Sequence, residues 1–176
     1  LAKAHGIDAF LLDVGQWKMP DKKTGELKET NYTKAAARMF EAATRTGFRL
    51  AMAPEGYIAR GGLAENTKDM LRLYHDHPNY FHYQGRPLFA VYINRPDAWG
   101  QPLTELREEE GIDPLFVGNF WNPRWAMTWS VETARSFFRE SAELDGLINF
   151  GTMGTALEIN ANANARLATI LEGKVC

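Results

Sequence analysis

The chain has 176 residues, 45% hydrophobic and 24% charged, and 20 Lys and Arg against 22 Asp and Glu leave a formal net charge of −2. That is one domain's length with enough apolar material for a core, and basic residues spread along the chain do not make the patch of a nucleic-acid binder. The single cysteine, Cys176, rules out a disulfide framework within these residues, and no apolar run approaches the ~20 residues that span a bilayer.

The first residues read as the end of a helix. The run Ile7–Val14 follows, short and almost continuously apolar, which is how a strand reads when both of its faces are buried in a parallel sheet. Lys18–Thr30 is a charged insertion with a turn at Gly25, expected to be a solvated excursion. Asn31–Thr46 is a helix: Ala36, Met39, Phe40 and Ala43 fall on one face, Thr30 or Asn31 can cap its start, and Gly47 can end it. Phe48–Ala53 is the second strand. Asn66 is expected to cap the next helix, with Thr67, Met70, Leu71 and Tyr74 on its inner face and His77-Pro78 beyond its end.

Pro87–Ile93 is the third strand. Leu103–Glu110 reads as a short helix ended by Gly111, and Pro114–Gly118 as the fourth strand. Ser130 can cap a helix that aligns Ala134, Phe137, Phe138 and Ser141, and Gly146–Phe150 is the fifth strand. A last helix is expected from Ile159 to Leu171, and Gly173–Cys176 can open a sixth strand.

Strands alternating with helices imply βαβ units and a parallel sheet, either doubly wound or closed as a barrel. The helix-to-strand joints are abrupt, as at Thr46-Gly47-Phe48, whereas the strand-to-helix segments are long and rich in Trp, Asn, Arg and Gly. Long loops after the strands are where a barrel carries its site, and a complete barrel needs eight strands in ~250 residues. The expectation is therefore an α/β fold: an incomplete parallel (β/α)8 TIM-type barrel, with five to six βα units filling residues 1–176 and truncated at both ends.

Every strand delivers a polar side chain at the same end: Asp13, Glu55, Asn94 with Arg95, Asn119 and Asn149. In a barrel these converge on one mouth, and converging polar groups need a wet cleft or a hydrogen-bonded network. Single Asn and Asp residues also favour loop starts for local reasons. Trp17, Tyr57, Trp99, Trp121, Trp125 and Trp129 share the same segments, beside Asn122. Flat aromatic faces among hydrogen-bonding side chains suit a sugar ring, apolar on its faces and polar on its edges.

The expected substrate-binding set is Asp13, Trp17, Glu55, Tyr57, Asn94, Asn119, Trp121, Asn122 and Asn149. Asp13 and Glu55 end neighbouring strands, ~4.8 Å apart. That is compatible with the ~5–5.5 Å carboxyl separation of a retaining glycosidase. No cofactor or metal is expected. His75 and His77, two apart, do not share a helix face, and neither a dinucleotide fingerprint nor a phosphate-binding P-loop follows a strand.

Three phrases resemble known enzymes. Ala2-Lys3-Ala4-His5-Gly6-Ile7-Asp8-Ala9-Phe10 resembles a segment that opens an early barrel strand in certain glycoside hydrolases. Thr46-Gly47-Phe48-Arg49-Leu50 resembles their second strand entry. His77-Pro78-Asn79-Tyr80 with Gln84-Gly85-Arg86-Pro87-Leu88 resembles the phrase before a central strand. The order and spacing are similar to glycoside hydrolase family 71, the endo-α-1,3-glucanases, or the related endo-α-mannosidase-like family 99, as far as about Tyr92.

The resemblance implies a (β/α)8 barrel that hydrolyses α-linked polysaccharide, α-1,3-glucan or mannan-like, with a carboxyl pair in a short acidic motif on a strand C-terminal to these residues. That would leave Asp13 and Glu55 as a fallback catalytic pair and make them chiefly acceptors of substrate hydroxyls. It also implies an oligosaccharide or polysaccharide partner rather than nucleic acid or membrane, and an extracellular or periplasmic place of work. Two other functions fit the same residues: a non-catalytic carbohydrate-binding barrel, and a barrel enzyme acting on a small phosphorylated metabolite.

Overall fold

A computed structural model describes residues 3–55, 62–91, 97–119 and 144–148, with positions 130, 132, 133 and 136. The elements are β1 (Ala9–Val14), β2 (Lys18–Pro20), β3 (Leu27–Glu29), α1 (Asn31–Thr46), β4 (Arg49–Pro54), α2 (Leu63–Tyr74), β5 (His82–Tyr83), β6 (Arg86–Val91), α3 (Asp97–Glu110), β7 (Leu115–Asn119) and β8 (Gly146–Ile148), after a short 3-10 turn at Lys3–His5.

Five strands form one parallel sheet in the order β1-β4-β6-β7-β8, so each new principal strand is laid beside the last. A doubly wound sheet reverses direction at a switch point and carries helices on both faces. Here Leu50, Met52, Phe89, Val91 and Phe116 pack in one layer with Phe40 of α1, Met70 and Leu71 of α2, and Trp99, Leu103 and Leu106 of α3. The alternate positions Ala53, Ala90, Leu115 and Val117 form a second cluster with Leu11 and Leu88. All three described helices therefore cover one face, and the side chains of the second cluster face inward. That is the layering of a barrel wall, and it settles the choice the sequence left between two architectures.

α1 runs over the expected residues. Thr30 caps it, accepting from the Tyr32 N–H at 3.1 Å, while the Thr33 hydroxyl accepts from the Thr30 N–H at 3.3 Å. Other elements depart from expectation. α2 begins at Leu63, so Asn66 lies inside its first turns rather than capping it; Asn66 is buried and its amide donates to the Lys18 carbonyl at 3.3 Å. α3 begins six residues earlier than the sequence suggests and tolerates Pro102. Pro102 forfeits one helix hydrogen bond, but Trp99, Leu103 and Leu106, spaced i, i+4, i+7, are fully buried. Ser130 does act as a cap, accepting from the Thr133 N–H at 3.0 Å.

The expected solvated excursion after β1 is an antiparallel hairpin, β2–β3. Its turn is closed by Asp21, whose carboxylate accepts from the N–H groups of Lys23 and Thr24 at 2.8 and 3.0 Å. A second hairpin joins β5 to β6 through Gln84-Gly85, both at positive φ (50° and 81°), the conformation that a tight two-residue turn requires.

Candidate functional site

The site is built where β1 and β4 end. The two strands pair in register, with Asp13 opposite Ala53 and Val14 opposite Pro54. The Glu55 N–H donates to the Val14 carbonyl at 2.9 Å, carrying the ladder one residue past β4. Asp13 follows Leu11 by two residues and Glu55 follows Ala53 by two, so both stand on the inward face. Two carboxylates are thus presented on one face at the carboxyl end of the wall, Glu55 two residues beyond the position opposite Asp13.

Gly15 shapes the space between them. A methyl group added there would stand 3.0 Å from the Tyr32 hydroxyl oxygen and 3.6 Å from Glu55 Oε2. With only a hydrogen at that point, Tyr32 from the first turn of α1 leans over the end of β1 beside Glu55. Tyr32 keeps 44% of its surface exposed.

The electrostatics follow from this crowding. Partial burial pushes the Asp13 carboxyl above its ordinary range. Burial does the same for Glu55, and the charge of Asp13 adds to it. Both groups hold protons more tightly than free side chains, as partly desolvated carboxyls do.

Among the expected residues, the structure places Asp13 and Glu55 at the ends of adjacent strands, where the charge of Asp13 acts on Glu55, and ends β7 at Asn119. Tyr57, Asn94, Trp121, Asn122 and Asn149 lie outside the described residues. Trp17 takes a different place from the one expected. It has no exposed surface and packs edge-on against Tyr74 of α2 at 6.2 Å, and its indole N–H donates to Asp69 at 2.7 Å. The chain turns outward after β1, so this ring wedges into the helical layer and has no face left for a ligand. Trp99 is likewise core, against Phe89 and Phe116.

Tyr32 is not visible as a site residue in the sequence. A residue in the first turn after a helix cap reads as exposed helix surface. The available signal is topological, because in a βα unit the helix starts at the end of the wall where the strand finished. Among the described residues no three His, Cys, Asp or Glu are grouped to hold a metal ion, and no helix is long and apolar enough to cross a membrane.

No family model and no curated protein matches this sequence. Solved structures do. The GH99 endo-alpha-mannosidase from Bacteroides thetaiotaomicron superposes with a TM-score of 0.58 at 16% identity over 93% of this chain and 47% of that one. The same kind of enzyme from Bacteroides thetaiotaomicron in complex with BIS-TRIS-propane gives a TM-score of 0.55 at 16% identity over 91% and 47%. This chain spans about half the length of those structures. The likeness is one of fold, and at that level it bears out the resemblance to family 99 and the partial barrel.

Proposed function

We propose that this chain belongs to a glycoside hydrolase barrel acting on α-linked polysaccharide, α-1,3-glucan or mannan-like, and that these residues serve chiefly to bind substrate. The observation that carries the proposal is that Asp13 and Glu55 stand on the same face at the carboxyl ends of adjacent parallel strands, near enough for the charge of Asp13 to act on Glu55, at the end where barrels of this type hold their ligands. Carboxylates placed there accept hydrogen bonds from sugar hydroxyls, and the raised affinity of both for protons suits a cleft that a ligand dries on entering. Glycoside hydrolysis needs one acid to protonate the leaving oxygen and one carboxylate as base or nucleophile. We assign that pair to residues beyond this chain, with Asn119, Trp121 and Asn122 beside Asp13 and Glu55 in the cleft, joined by Tyr57, Asn94 and Asn149.

The test is incubation of the full-length protein with α-1,3-glucan and α-mannan oligosaccharides, following new reducing ends. Release from either supports the proposal. Tight binding of both without release would point to a non-catalytic carbohydrate-binding barrel, and turnover of a small phosphorylated sugar alone would contradict the polysaccharide assignment.

A further inference from the structure

We propose that Tyr32 and Glu55 form a single sugar subsite across the end of β1, in which the Tyr32 hydroxyl donates to one oxygen of a pyranose and Glu55 accepts from the neighbouring hydroxyl, with Gly15 as its floor. The inference rests on the carbohydrate reading above and names the residues that hold one sugar unit there.

Three observations meet at this point. Tyr32 and Glu55 come from different elements, the first turn of α1 and the residue after β4, yet both approach the missing Cβ of Gly15, at 3.0 and 3.6 Å. Gly15 is itself buried, so the approach is enclosed on the chain side. Tyr32 is 44% exposed, so its ring and hydroxyl remain available from the other side. A phenol that donates and a carboxylate that accepts are complementary to adjacent hydroxyls on a sugar, each of which can do both. The Thr30 cap fixes the backbone of Tyr32 through its own N–H, which sets the direction from which the ring arrives.

Gly15 also supplies a way to move Tyr32 without removing its hydroxyl. An alanine methyl would meet the Tyr32 oxygen and Cζ at 3.0 and 3.2 Å, whereas Glu55 at 3.6 Å stays in ordinary contact. The displaced group is the far end of a side chain that can swing aside, so Gly15→Ala shifts Tyr32 and leaves Glu55 where it is.

The experiment measures Kd for α-1,3-glucan and α-mannan oligosaccharides with the full-length protein, wild type and three variants. Tyr32→Phe and Gly15→Ala are each expected to weaken binding by about 3- to 10-fold, the effect of losing one hydrogen bond, with thermal stability unchanged. The double variant is expected to be no weaker than the worse single one, because both changes remove the same contact. An unchanged Kd for Tyr32→Phe in a wild type that binds overturns the subsite alone. A wild type that binds neither oligosaccharide overturns the carbohydrate reading and the subsite with it.

Discussion

Asp13 and Glu55 both hold their protons above the ordinary carboxyl range, and the consequence for stability has a definite sign. A carboxyl raised in the folded state favours folding while it is protonated, and that contribution is lost as pH rises through the folded value. Asp13→Asn removes a partly desolvated ionised group from the end of β1 and relieves Glu55 of its neighbour's charge. The variant is expected to raise Tm at about pH 7, with the gain disappearing near about pH 3, where both carboxyls are protonated in either state. A gain that persists in acid would mean that the stabilisation is not electrostatic. Trp121→Ala in the full-length protein is expected to weaken oligosaccharide binding by about 1–3 kcal/mol, as for aromatic stacking on a flat ligand face. Unchanged affinity by titration calorimetry would place that ring on the rim. Asp13 and Glu55 were legible in the sequence because each is an acidic side chain that closes an apolar run, where the pattern of a buried strand gives way to a wet end. The fate of Trp17 was not. Its burial depends on Tyr74 and Asp69, more than fifty residues away along the chain, and no local pattern registers that meeting.

At the scale of elements, the β2–β3 hairpin illustrates how an insertion is made rigid. Lys18 and Trp17 at its root share the Asp69 carboxylate, at 2.8 and 2.7 Å, and the Thr30 hydroxyl donates to the Gln16 carbonyl at 2.9 Å. Trp17→Phe keeps the apolar bulk and loses the hydrogen bond, for an expected cost of about 1 kcal/mol. Trp17→Ala opens a cavity between α1 and α2 at about 3–5 kcal/mol. Chemical denaturation of both variants separates the two terms, and unchanged stability for Trp17→Phe would show that the Asp69 contact contributes nothing. The sequence marks this stretch as charged and turn-bearing, which is correct for its tip, but pairing across it needs Lys18 opposite Glu29, and neither side alternates long enough to announce a strand. α3 is understated by the sequence for the opposite reason. Gly100 and Pro102 are breakers locally, and the burial of Trp99, Leu103 and Leu106 overrides them.

For the whole molecule, the order β1-β4-β6-β7-β8 with helices on one face makes the two ends of the wall unlike. The amino ends of the last three strands are tied by charge. Arg86 reaches both oxygens of Asp145 at 2.8 Å and the Pro114 carbonyl at 2.7 Å, and Asp145 accepts from the Phe116 N–H at 2.8 Å. Arg86→Met is expected to cost about 2 kcal/mol through these charge-assisted bonds while leaving oligosaccharide affinity unchanged, since the carboxylates of the candidate site lie at the other end. Weaker binding at unchanged stability would show that the two ends are not independent. The alternation of strand and helix was readable from short apolar runs. The sequential order that makes it a barrel wall was favoured only indirectly, by long loops after the strands, because it depends on which strands pair. The most direct test of Glu55 as a substrate-binding carboxylate is turnover of the α-linked oligosaccharide by Glu55→Gln in the full-length protein. A loss of about 10- to 100-fold, roughly 1.4–2.7 kcal/mol, is expected, with no response to added azide. Loss of essentially all activity, restored by azide, would make Glu55 the nucleophile and contradict the assignment of the working pair to residues beyond this chain.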